Sequence, residues 1–348
     1  MTHLVTGGAG FIGRWVVKRL LAREADRVVV VDNFSNSSPR NLAEFAGHGR
    51  LRVVEGDISD GELLARVWKE EGAFETVYHL AASIRVQDSI DDPRTTFHND
   101  VVGTFEVLEC CRRQYLQENG LPVGKPFHLL HVEKQLTATR PRVVFMSTCM
   151  VYDRATQETG IDERHPTRPA SPYGASKIAA ENLVLSYFLS YRLPAKVIRP
   201  FNTYGPFQKS NLEGGVVAIF IGRDLAGKPL LVKGDGLQTR DLLYVEDCAR
   251  FVVEAGLSAA ADGEVMNAGS GRDISIRGLA ALITDKRTGG NGVPIQHIPH
   301  DHPQAEIAKL LCDSGKASRL LGWQPKITLE EGIRLTREWI RKNPEASL

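Results

Sequence analysis

No stretch of the chain approaches the roughly 20 apolar residues that a membrane-spanning helix needs, and charge of neither sign dominates. Lys and Arg number 43 against 42 Asp and Glu, a formal net charge of +1. Such a balance carries no electrostatic footprint for a polyanion, so neither nucleic acid nor a membrane is an expected partner. Cysteine is sparse: Cys110, Cys111, Cys149, Cys248 and Cys312 make an odd five, without CxxC or other metal-ligand spacing. The pattern speaks against a disulfide framework, gives no metal site, and leaves reduced thiols in a cytoplasmic protein as the expectation. The opening MTHLVTGG runs straight into a strand-like segment and lacks a signal-peptide pattern. Internal repeats and low-complexity tracts are missing as well.

What is present is ordinary globular composition, 42% hydrophobic and 24% charged over 348 residues, enough for one large domain or two unequal ones. His3–Thr6 reads as a strand leading into a helix from Phe11 to about Ala22, with Ile12, Trp15, Val16, Leu20 and Leu21 on its inward face. Arg27–Val31, Leu51–Glu55, Thr76–Ala81, Arg142–Ser147 and Ala195–Arg199 read as further strands. β-Branched runs separated by helical patterns predict βαβ units, hence a Rossmann-type α/β fold with a doubly wound parallel sheet. After Pro200 the pattern loosens, which predicts a smaller mixed α/β substrate lobe over the carboxyl ends of the strands. Residues 1–199, with a returning segment near 236–256, are assigned to the sheet domain, and 200–235 with 257–348 to the lobe. The segment 118–141 is longer than the usual connection of about 2–6 residues. Within it Phe127–Leu136 reads as an added helix, a surface excursion with oligomer contact or substrate cover as the alternatives.

The first turn carries Thr6-Gly7-Gly8-Ala9-Gly10-Phe11-Ile12-Gly13. Gly7 permits the tight turn, Gly10 lets the backbone approach a pyrophosphate, and Gly13 lets helix pack close to strand. The diphosphate then sits at the positive end of the helix dipole. Asp32 ends the second strand, where a carboxylate accepts from ribose hydroxyls and repels a 2′-phosphate, so NAD is favoured over NADP. Asp57 and Ile58 follow the third strand, placed to edge and cover an adenine. Leu80-Ala81-Ala82 follows the fourth, small enough for a dinucleotide to lie against the backbone.

Ser171-Pro172-Tyr173-Gly174-Ala175-Ser176-Lys177 opens a long helix, with Ser171 as N-cap and Pro172 in the first turn. Tyr173 and Lys177 are four apart and so share a face. A free tyrosine titrates near pH 10, and a neighbouring ammonium together with a cationic nicotinamide brings the phenolate into working range.

Taken together, the glycine turn, Asp32, Leu80-Ala81-Ala82, Ser147-Thr148 and Tyr173/Lys177 resemble the NAD-dependent epimerase/dehydratase family of extended short-chain dehydrogenases. The likeness runs from about residue 1 to about 340. It includes Arg199-Pro200-Phe201-Asn202-Thr203-Tyr204-Gly205-Pro206 and Gly234-Asp235-Gly236-Leu237-Gln238-Thr239-Arg240-Asp241. The stretch Asp32-Asn33-Phe34-Ser35-Asn36-Ser37-Ser38 is similar to the cofactor loop of UDP-sugar 4-epimerases. The resemblance implies a nucleotide-diphosphate sugar as substrate, with Tyr173 taking the proton of a sugar hydroxyl while the carbon hydride passes to NAD. It makes Thr148, Tyr173 and Lys177 catalytic and adds Asn33, Ser35 and Asn99 to the cofactor contacts. Val86, Thr148, Cys149, Asn202, Arg240 and His302 are implied at the substrate, with Arg240 on the diphosphate. A homodimer is also implied, through the helix near 100–117 and the one starting at Tyr173.

The branches of the family part after the keto-sugar forms. Sugar 4,6-dehydratases place Asp and Glu after the active-site Thr; here those positions are Cys149 and Met150. Methionine transfers no proton, whereas a 4-epimerase needs no extra acid or base. The expectation is therefore a 4-epimerase working through a 4-keto sugar. Asp153 replaces a usual glycine, and His302-Pro303-Gln304 stands where Arg-Pro-Gly is common. A dehydratase with a relocated pair, Glu213 and Lys209, stays open, as does a non-catalytic NAD-sensing or RNA-associated member of the fold.

Overall fold

Valine fixes the centre of the sheet. Val28, Val29, Val30 and Val31 are all fully buried, so both faces of their strand are covered, as a parallel strand between helical layers requires. The computed structural model describes residues 1–125, 127, 136–154, 160–209, 215–299 and 307–344.

The chain opens with β1 (Thr2–Thr6), α1 (Gly13–Leu21), β2 (Arg27–Asp32), β3 (Leu51–Glu55), α2 (Gly61–Glu71) and β4 (Thr76–His79). Two short helices, α3 (Val86–Asp91) and α4 (Pro93–Phe97), lead through a π turn at His98–Val102 into α5 (Gly103–Glu118). Then come β5 (Arg142–Met146), α6 (Pro172–Tyr191) and β6 (Ala195–Pro200). The second part holds β7 (Asn202–Tyr204), α7 (Val216–Leu225), β8 (Leu230–Lys233), β9 (Thr239–Tyr244), α8 (Val245–Leu257) and β10 (Val265–Ala268). It finishes with β11 (Asp273–Ser275), α9 (Ile276–Thr284), β12 (Ile295–Ile298), β13 (Lys309–Leu310), α10 (Gly315–Leu321) and α11 (Leu329–Lys342).

Seven strands form one sheet in the order β10-β6-β5-β4-β1-β2-β3, parallel throughout. The order reverses between β1 and β4, and it is beyond the carboxyl ends of such a pair that open α/β sheets bind ligands. The lobe contains a small sheet of β11, β9 and β13 with β7 beside β9, and the pair β12 and β8. Its own core includes Val217, Phe220, Ile221, Leu230, Leu279 and Ile333. No described helix is long and apolar enough to cross a membrane.

Three expectations shift. Helix α1 begins at Gly13, because Phe11 and Ile12 belong to the turn that presents the helix end. Strand β4 ends at His79, where the chain leaves the sheet and Ala81 N donates to the Thr6 hydroxyl at 3.2 Å. The returning segment reaches past residue 256: α8 packs on α1, and β10 then pairs with β6 as the seventh strand. Four residues without alternation give little sequence signal, but they cover an edge that β6 would otherwise expose. The added helix expected at Phe127–Leu136 lies, apart from its two end residues, outside the described residues.

The lobe is bolted to the sheet domain beside the cleft. Buried Arg14 in α1 lays its guanidinium 3.8 Å over the Phe207 ring, and Phe207 in turn packs 4.6 Å from Trp339 of α11. Cation–π contact of this kind is strengthened by exclusion of water.

Candidate active site

One cavity opens at the carboxyl ends of the strands. Gly7, Gly10, Phe11, Ile12, Gly13, Asp32, Asn33, Ser35, Ile58, Leu80, Ala81, Ala82 and Asn99 line its first half. Gly7 has φ 67°, and a Cβ there would meet Ala81 N at 2.8 Å, so turn and β4 end approach as only glycine allows. Asp32 sits at the tip of β2, its Oδ2 accepting from Ala9 N at 2.9 Å and its Oδ1 from Phe34 N at 2.9 Å and Ser37 Oγ at 2.8 Å. Asp57 is one step behind the lining, its carboxylate accepting from Ser59 N at 2.8 Å and Asn33 Nδ2 at 2.8 Å. It therefore shapes the turn that carries Ile58 and steadies Asn33.

Thr148, Cys149, Tyr173, Lys177 and Asn202 line the other half of the same cavity. Ser171 caps α6 by accepting from Gly174 N at 3.3 Å, and Pro172 occupies the first turn as the sequence predicts. Thr148 caps the short turn after β5, accepting from Met150 N at 3.2 Å. Burial pushes the Tyr173 phenol well above its ordinary pKa; Asp100 adds to the rise and a hydrogen bond with Thr148 opposes it. Burial pulls Lys177 down, while Asp100 and then Glu181 hold it up. The Lys177 ammonium lies 4.5 Å over the Phe145 ring. His79 is hydrogen-bonded between the Thr6 hydroxyl at 2.7 Å and the Thr104 hydroxyl at 2.9 Å. Burial, assisted by Lys177, lowers its pKa to about 3 and keeps it neutral.

Two of the implied substrate residues, Val86 and Arg240, are not among the described residues that line the cavity. Val86 starts α3, and Ile84 lines the cavity instead. Arg240 Nη1 donates to the carbonyls of Thr239 at 2.7 Å and Ile307 at 2.8 Å. His302 and Glu213 lie outside the described residues, whereas Lys209 does line the cavity. Sequence reasoning missed Ile84, Met146, Phe207 and Gln208 as lining residues. They stand in loops and strand ends with no periodic signal, and only the sheet order brings them together.

Ser147 Oγ, Asn202 Oδ1 and Gln208 Oε1 are buried without a hydrogen-bond partner among the described residues, and all three residues line the cavity. Buried polar atoms normally find partners, so this surface suits a ligand rich in hydroxyls and amides, as a dinucleotide with a sugar beside it is. Glycine turn, carboxylate at the tip of β2 and Tyr–Lys pair define an NAD-dependent enzyme of the short-chain dehydrogenase/reductase class.

Comparison with known proteins narrows the class. The GDP-mannose 4,6 dehydratase family model matches residues 4–336, and the chain belongs to this family of NAD-dependent nucleotide-sugar epimerases and dehydratases. It is 35% identical to the UDP-glucose 4-epimerase of Mycolicibacterium smegmatis, across 99% of this chain and 100% of that one. Among solved structures, Pal from Bacillus thuringiensis shares 54% identity at a TM-score of 0.85, covering 98% of this chain and 99% of the other. The dTDP-glucose 4,6-dehydratase of Bacillus anthracis, solved with NAD, gives 27% identity and a TM-score of 0.82, over 99% and 98% of the two chains. Membership in this enzyme family sets aside the non-catalytic alternative.

Proposed function

We propose that the protein is an NAD-dependent nucleotide-sugar 4-epimerase working through a 4-keto intermediate, with Thr148, Tyr173 and Lys177 as its reacting set. The observation that carries this reading is the chemistry lining the reaction end of the cavity. Among the described lining residues the one carboxylate is Asp32, at the cofactor end. Elimination of a sugar hydroxyl needs an acid for the leaving oxygen and a base for the carbon-bound proton. Met150 offers neither, and burial pushes the Cys149 thiol up to about 12, which makes it a poor proton donor at neutral pH. Epimerisation asks only for proton transfer at O4.

In this reading Tyr173, as phenolate, takes the O4 proton and later returns it. NAD, when bound, supplies the hydride acceptor and then the donor for C4. Lys177 stabilises the phenolate by its charge and holds the cofactor ribose, and Thr148 hydrogen-bonds the reacting oxygen. Asn202 lies beside the sugar, and Arg240 pairs with the diphosphate at the lobe. Lys209 favours a second reading, since its position in the lining offers a relocated acid for a dehydratase. Incubation with a panel of UDP- and dTDP-sugars followed by product mass separates the two. An unchanged mass with a mixture of C4 epimers is expected, with most activity kept in Cys149→Ser and Met150→Ala. Loss of one water at a useful rate would overturn the epimerase reading.

A further inference from the structure

The helical run from α4 to α5 is interrupted by the π turn His98–Val102. Such a turn inserts a residue and re-aims side chains, and is frequent at functional sites. Here Asp100 points inward and is 1% exposed. Its Oδ1 accepts from Ser83 N at 2.7 Å and its Oδ2 from Ser176 Oγ at 2.8 Å. Ser176 stands in α6 between Tyr173 and Lys177, so the carboxylate is tied directly to the turn that carries the reacting pair. Asn99, from the same π turn, donates to Ser83 Oγ at 3.1 Å and lines the cavity.

The charged and titratable groups around this point are few. Helix α6 presents Tyr173, Lys177 and Glu181, β4 presents His79, and the turn after β5 presents Cys149. Glu181 is engaged by Arg199 of β6 through two hydrogen bonds, at 2.9 and 2.6 Å. His79 is kept neutral and Cys149 is kept as the thiol, both by burial. Asp100 is thus the carboxylate in this group that no arginine neutralises among the described contacts. Burial raises the pKa of the Asp100 carboxyl, opposed first by the charge of Lys177 and then by the hydrogen bonds from Ser83 N and Ser176. In its ionised form, held by those partners, it favours the ammonium of Lys177 and disfavours the phenolate of Tyr173.

We propose that Asp100 is a positioning residue for the Tyr173–Lys177 pair, fixing the first turns of α6 through Ser176 and setting, by its charge, the pH at which the pair ionises. The proposal rests on Tyr173 and Lys177 being the reacting pair and is indifferent to which sugar reaction follows.

Asp100→Asn removes the charge and keeps the geometry. The amide oxygen still accepts from Ser83 N, and the amide nitrogen donates to Ser176 Oγ, whose own proton also has the Tyr173 carbonyl at 2.8 Å. The NAD-loaded protein is titrated while the ultraviolet difference absorbance of phenolate is followed, and Tyr173→Phe run alongside isolates the Tyr173 component. Loss of one negative charge eases ionisation, so the Tyr173 midpoint in Asp100→Asn is expected about one pH unit lower than in the parent. An unmoved midpoint, with the Tyr173→Phe control intact, overturns the proposal even if the variant melts earlier, because Asp100 is then a hydrogen-bond acceptor only. A raised midpoint overturns it too, since removing the charge of Asp100 would then act on Tyr173 with the opposite sign. Should Asp100→Asn fail to fold, Asp100→Ser removes the same charge with a smaller side chain, and the same comparison decides.

Discussion

Gly13→Ala tests the cofactor turn most severely. A Cβ at Gly13 would lie 2.1 Å from Gly7 O and 2.9 Å from both Gly7 C and Gly8 Cα. All three are backbone atoms, so no side chain can rotate away. The turn itself is pinned, with Gly7 N donating to Val31 O at 2.9 Å and Gly10 N to Gly7 O at 3.0 Å. Relief therefore demands that the start of α1 and the turn separate by about 1 Å, which moves the amide groups we propose for the diphosphate; misplacement of that size costs about 100-fold at a pre-organised site. NAD affinity is expected to weaken by about 100-fold, or ~2.7 kcal/mol, and the crowding lowers Tm as well. Gly10→Ala gives the contrast. Its Cβ would meet only Gly7 O, at 3.0 Å, so the fold tolerates it while the methyl obstructs the approaching diphosphate. Calorimetric titration of NAD into stripped protein, with thermal unfolding of the same samples, should show both losses in Gly13→Ala and mainly the affinity loss in Gly10→Ala. NAD binding within about threefold of the parent in Gly13→Ala would refute the close-packing argument.

Tyr173→Phe is expected to abolish turnover with NAD binding nearly intact, whereas Lys177→Met loses turnover and weakens NAD binding; near-normal turnover of the first would sink the proposed chemistry. All five cysteines are buried and free, and burial raises Cys110 to about 11 and Cys149 to about 12. A chromogenic disulfide reagent should therefore react slowly with native protein at neutral pH and rapidly after unfolding. A fast-reacting native thiol would contradict the buried placement. Burial also lowers His3 from 6.5 to about 4 and His79 from 6.5 to about 3. The fold keeps both neutral while the unfolded chain protonates them, so their contribution to stability is full above pH 6.5 and falls as pH drops toward 4. Between pH 6.5 and 5 the two together are worth about 3 kcal/mol, at up to 1.36 kcal/mol per pH unit each. Urea unfolding at those two pH values measures it, and equal stabilities would refute the assignment.

The parts of the fold legible in the sequence are those where local pattern and tertiary role agree. Arg27–Val31 and Ala195–Arg199 read as buried strands because β-branched runs have no stable alternative inside a layered fold, and the structure extends each by one residue. That the glycine turn and Asp32 line one cavity was legible for the same reason, since both have positional meanings tied to backbone geometry. Residues that enter the cavity through topology left no such trace. Ile84, Phe207 and Gln208 sit in connections whose sequence does not say where they return. Asp100 left a faint signal, a carboxylate just before Val101 and Val102 at the head of an apolar helix. The π turn that aims it depends on one extra residue that periodicity reads as noise. Cys149 and Met150 were visible as departures, and the structure adds that the thiol is buried.

The place of β10 at the edge of the large sheet bears on how the protein is made. β6 ends at Pro200 and its outer neighbour begins at Val265, about sixty residues later. At a synthesis rate of about 5–20 residues per second, the nascent sheet waits roughly 3–13 s with β6 unpaired on that side. An uncovered apolar strand in a growing chain invites pairing with its neighbours on the same polysome. β6 carries Lys196, Arg199 and Pro200, and charges and proline are what blunt such an edge. In the finished protein Lys196 donates to the carbonyls of Ala255 at 3.0 Å and Ser258 at 2.6 Å, in the last turn and at the C-cap of the helix that delivers β10. The lysine that guards the strand during synthesis thus becomes a tie for the segment that finally covers it, and the substrate lobe is threaded into the sheet's folding rather than appended to it.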